Sequence, residues 1–64
     1  MNDREIWRAA QNMIDRFGDR ALSQINLRIR ELEWQGNSEA QAAWLRIRAA
    51  ARALLDSSND KTSH

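Results

Sequence analysis

The sequence predicts an all-α protein, a small helical bundle of three short amphipathic helices over about residues 3–17, 20–35 and 39–55. Three observations carry this reading. Proline is absent and glycine occurs only twice, at Gly18 and Gly36. The remaining composition is rich in Ala, Leu, Arg, Glu and Gln, which lose little on entering a helix. The apolar side chains recur every three to four positions, the period of a helix face rather than of a strand.

The first helix has a start signal in Asn2 and Glu5, the spacing of a capping box. At about 100° per residue, Ile6, Trp7, Ala10, Met13, Ile14 and Phe17 share one stripe, with polar side chains opposite. Gly18 is expected to stop this helix in a left-handed conformation. Asp19 is expected to cap the second helix. There Ala21, Leu22, Ile25, Ile29 and Leu32 form the inward stripe, while Leu27 and Trp34 fall about half a turn away.

Gly36 is expected to end the second helix as Gly18 ends the first. Ser38 with Gln41 reads as a capping box for the third helix, and Glu39 complements the positive end of its dipole. Ala40, Ala43, Trp44, Ile47, Ala50, Ala51 and Leu54 make its main face, and Ala42, Ala49 and Ala53 a side stripe. Leu45 points elsewhere, toward Arg48 and Arg52. After Leu55 the stretch DSSNDKTSH holds no apolar side chain. The organisation expected is one domain over 1–55 and a disordered polar tail over 56–64.

Size restricts what holds such a chain together. One core of this length contributes only about 3–5 kcal/mol. There is no cysteine to add a disulfide, which fits a reducing cytoplasm. The single histidine is His64, in the polar tail, so no metal and no cofactor are expected. Helix packing supplemented by self-association is what remains. No apolar run approaches the roughly 20 residues of a membrane span, and the opening MNDREIW lacks a signal pattern. A soluble, cytoplasmic protein is expected. There is no Ser-His-Asp or Cys-His set and no glycine-rich phosphate loop, so an enzyme is not expected.

The candidate contact residues are those the stripes leave over. Trp7 and Trp44 lie at stripe edges and are expected to close the core between the first and third helices. Trp34 and Leu27 have two open readings. Either the indole folds over the Gly36 corner and Leu27 stands alone, or the two form a contact patch for a second copy or a partner. Arg30, one turn before Trp34, is placed to stack on its indole. The candidate interface is therefore Leu27, Arg30, Trp34, Leu45, Arg48 and Arg52, on a protein acting through protein–protein contact, with a homodimer as the leading form.

Net charge is only +1, but it is unevenly spread. Acids and bases cancel over 1–35, whereas over 36–55 Arg46, Arg48 and Arg52 face Glu39 alone. The alternative reading is a small DNA-associated regulator using this arginine-bearing third helix. Three arginines make a small patch for nucleic acid.

The segments IWRAAQNMIDRFGDRA, RIRELEWQGN and AAWLRIRAA resemble a family of small uncharacterised bacterial helical proteins, chiefly alphaproteobacterial. The matching positions are Trp7, Ile14, Gly18, Asp19, Arg28, Leu32, Gly36, Trp44 and Ile47, so the likeness spans about residues 5–55. Phe17 stands where that family often has His, and Asn37 where it often has Asp. The resemblance implies a compact helical protein and brings no assigned activity.

Overall fold

The computed structural model describes residues 2–62, with side chains described through Ser57. Helical backbone runs unbroken from Asp3 to Gln35 and resumes from Ser38 to Thr62. Within the first stretch, a single 3-10 turn at Gly18–Arg20 joins α1 (Asp3–Phe17) to α2 (Ala21–Gln35). The second stretch is α3 (Ser38–Thr62). Among the described residues the protein is all-helical, with two continuous helical stretches and one true break, not three helices set apart by two equal corners.

The two glycine junctions differ in their backbone. Gly18 has φ 54 and ψ −123, a conformation open essentially to glycine but not the left-handed helical one expected there. Its N–H donates to the Ile14 carbonyl, and the next turn tightens to 3-10 geometry, so the chain changes direction without leaving helical bonding. Gly36 does adopt the left-handed conformation, with φ 73 and ψ 20. Its N–H donates to the Glu33 carbonyl at 3.1 Å, and the Asn37 N–H to the Leu32 carbonyl at 3.0 Å. This pair of bonds is a Schellman stop.

The caps follow from these joints. Asn2 accepts from the Glu5 N–H at 2.9 Å and begins α1 as expected. Asp19 is not the cap of α2, because it lies inside the 3-10 turn and the cap position falls to Arg20, which makes no side-chain cap bond. Ser38 does not cap α3 either. Asn37 does, its side-chain oxygen accepting from the Ala40 N–H at 3.2 Å. Asn37 therefore closes α2 with its N–H and opens α3 with its side chain, which leaves Ser38 as the first helical residue.

α3 packs against both α1 and α2, and the direct contact between α1 and α2 is smaller. The core joins Ile6 and Ala10 of α1, Ile25 and Ile29 of α2, and Ile47, Ala50 and Ala51 of α3. Ile25 and Ile47 are completely buried. Each such side chain contributes about 1.5–3 kcal/mol. Small residues at Ala10, Ala50 and Ala51 let the helices approach closely around these two isoleucines.

Three expectations are corrected here. Trp7 remains 46% exposed, so it does not close the core, whereas Trp44 does pack against it. Phe17, at the end of its stripe, is also exposed. Finally, α3 runs past Leu55 to Thr62. The polar stretch holds neither proline nor glycine, so the only opposition to propagating the helix is propensity, a few tenths of a kcal/mol per residue. Residues 63 and 64 of the expected tail lie outside the described residues.

Candidate contact surface

The surface of interest is the outward ridge of α2. Of its inner stripe, Ala21, Ile25, Ile29 and Leu32 are buried and Leu22 is half-buried against the core. Helical phase then forces Leu27 and Trp34, seven residues apart, onto the opposite side and within about 20° of one line. Leu27 is 51% exposed and Trp34 is 91% exposed. The indole therefore does not fold over the Gly36 junction. It stands in solvent two turns from Leu27.

Two shallow hollows flank this ridge, and Leu27 borders both. The first, about 540 Å³, lies along the seam with α3 and is lined by Ser23, Asn26, Ile29, Arg30 and Arg48. Here Arg48 donates to the Asn26 side-chain oxygen at 3.0 Å, tying α3 to α2. Gln41 donates to Glu33 at 3.4 Å further along the same seam. The two links run in opposite chain directions, so α2 and α3 are antiparallel. The second hollow, about 340 Å³, lies between α2 and the end of α1, with Gln24, Arg28, Glu31 and Trp44 in its wall.

The six expected interface residues are thus partly gathered. Leu27, Arg30 and Arg48 share one hollow, and Trp34 continues their side of α2. Leu45, 41% exposed, and the exposed Arg52 lie on α3 outside the hollow's lining. The expected stacking of Arg30 on Trp34 is replaced by another pair. The Arg28 guanidinium lies over the Trp44 ring, 5.8 Å from its centre, while also donating to Glu31 at 3.4 Å. The pairing of Arg28 with a ring was not legible in the sequence, since that ring comes from another helix.

Arg46, Arg48 and Arg52 do not form one patch. Arg46 lies on the α1 side of α3, in a groove of about 450 Å³ with Trp7, Ala49 and Ala53, while Arg48 faces α2. About 200° of helix phase separates the two. Among the described residues, no three His, Cys, Asp or Glu side chains converge to hold a metal. No described helix is long and apolar enough to cross a membrane. Comparison of the chain with protein-family models, with curated proteins and with solved structures gives no match.

Proposed function

We propose that this chain is a non-enzymatic protein that works through protein–protein contact on the outward ridge of α2, with self-association as its first use. The observation that carries the reading is Trp34, 91% exposed and in line with Leu27 on a face the fold itself does not use. A large aromatic in solvent contributes almost nothing to folding, yet tryptophan is the residue type most enriched among binding anchors. A chain this short also gains stability from any contact that binds the folded form alone.

The DNA-associated alternative is the weaker reading, because Arg46 lies about 200° of helix phase from Arg48 and so does not extend the face that Arg48 shares with Arg52. Sedimentation at physiological salt tests the contact reading. The wild-type chain is expected to show a concentration-dependent species larger than a monomer, and Trp34→Glu to be monomeric with unchanged helical circular dichroism. A wild-type chain that stays monomeric at high micromolar concentration overturns the proposal.

A further inference from the structure

The seam hollow between α2 and α3 gathers hydrogen-bond donors and positive charge. Ser23, Asn26 and Arg30 follow one another at spacings of three and four residues, so they form one row along α2 in the wall of this hollow. Arg48 enters from α3, and its bond to the Asn26 side-chain oxygen at 3.0 Å positions both groups. That bond uses one of the guanidinium's N–H donors and leaves the Asn26 amide nitrogen to donate elsewhere. Among the described residues, neither Arg30 nor Arg48 has a carboxylate in ion-pairing reach, and no acidic side chain lines the hollow. Glu33, the next acid on this side of α2, lies beyond Arg30 and accepts from Gln41.

We infer that this hollow binds a phosphate group, as free phosphate or as the head of a small phosphomonoester. Its two positive charges match the charge of about −1.5 to −2 that a phosphate ester carries at neutral pH. Four donor side chains are more than the two oxygens of a carboxylate require, and they suit the three free oxygens of a phosphate ester. Arginine supplies the planar fork of donors that such oxygens accept in pairs. Without an anion the two guanidiniums repel across the hollow, and a bound dianion replaces that repulsion with attraction.

Leu27, half exposed in the same lining, gives the carbon body of an ester an apolar surface to rest on. Nucleic acid fits less well. A duplex presents a charge about every 1.7 Å and calls for a longer positive track, whereas Arg46 lies in a groove on the α1 side of α3. The inference goes beyond the self-association reading and does not depend on it.

NMR titrations of isotope-labelled protein at constant ionic strength test the site. Inorganic phosphate and phenyl phosphate are the ligands, with benzoate and chloride as comparisons. Both phosphates are expected to give saturable shifts of the Ser23, Asn26 and Arg30 amides and of the Arg48 side-chain Nε–H. Arg30→Gln, at an exposed helix position, should weaken binding about three- to tenfold. Arg46→Gln removes the same charge from another groove and should change affinity by less than about twofold. Tighter binding of phenyl phosphate than of inorganic phosphate assigns the ester, and any other order assigns free phosphate. Shifts that grow without saturating overturn the inference, as does benzoate binding as tightly as phenyl phosphate. Equal losses from Arg30→Gln and Arg46→Gln overturn it too, because they mark general screening of charge. A wild type that sediments as a monomer removes the self-association reading alone and leaves this site standing.

Discussion

The two faces of α2 are built from the same fifteen residues and have opposite fates. On the inner face, Ile25 and Ile29 are buried between α1 and α3. On the outer face, two residues from Ile25, Leu27 is half exposed, and Trp34 is almost wholly so. The two tryptophans that bracket the Gly36 junction divide in the same way. Trp44 packs against the core under the Arg28 guanidinium, and Trp34 has no comparable cover. Hydrophobicity alone does not separate these residues. What separates them is helical phase relative to α3, the element against which both other helices pack.

The largest expected effect breaks the inner face. Ile25→Ala should cost about 2–5 kcal/mol, the sum of lost transfer energy and a cavity that close-packed neighbours cannot fill. Leu27→Ala on the same helix should cost under about 1 kcal/mol in dilute solution. Urea unfolding of both variants measures the contrast, and similar losses would show that the outer face is covered in the monomer.

Next come the joints that set which face of α2 is turned inward. Gly18→Ala should cost about 1–3 kcal/mol, since φ 54 with ψ −123 is closed to residues bearing a Cβ. Gly36→Ala should cost less, about 1–2 kcal/mol, because its left-handed helical conformation is merely unfavourable for alanine. Neither site has a neighbour within 4 Å of an added Cβ, so both costs are conformational. Thermal unfolding should rank them in that order, and the reverse ranking would contradict the 3-10 joint.

A smaller loss, about 0.5–2 kcal/mol, is expected for Asn37→Ala, which removes the α3 cap. Ser38→Ala should be nearly silent by comparison. If the serine variant unfolds more readily than the asparagine one, the cap assignment is reversed.

The smallest effect on stability belongs to the outer face. Trp34→Ala should lie within about 0.5 kcal/mol of wild type when measured on dilute monomer. Its signature lies in fluorescence. The variant should lose the most acrylamide-accessible part of the emission, and in the wild type that part should become protected as protein concentration rises. Quenching that does not change with concentration would leave Trp34 without an occupant.

Much of this was readable along the chain. Of the inward stripe of α2, Ala21, Ile25, Ile29 and Leu32 are buried as its period requires and Leu22 is half-buried, while Leu27 and Trp34 are turned outward. Other features were not readable, for definable reasons. Trp7 has the right phase for burial but lies near the start of α1, in a groove that α3 lines only with Arg46 and alanines. The caps of α2 and α3 were each displaced by one residue, because glycine signals a break without revealing whether its bonding becomes 3-10 or a Schellman turn. Arg28 over Trp44 depends on residues sixteen positions apart on different helices, which no local spacing encodes.

The sequence by itself determined the all-helical character, the break at Gly36 and the side of α2 on which each apolar residue lies. These depend on intrinsic propensity and on a period of 3.6 residues, both local properties. Only the tertiary structure decided which apolar stripes found enough neighbours to be covered, and that the arginines of α3 face different grooves. Burial and charge clustering depend on where helices cross, and that is set by the backbone angles at Gly18 and Gly36 together with the close packing of Ile25 and Ile47.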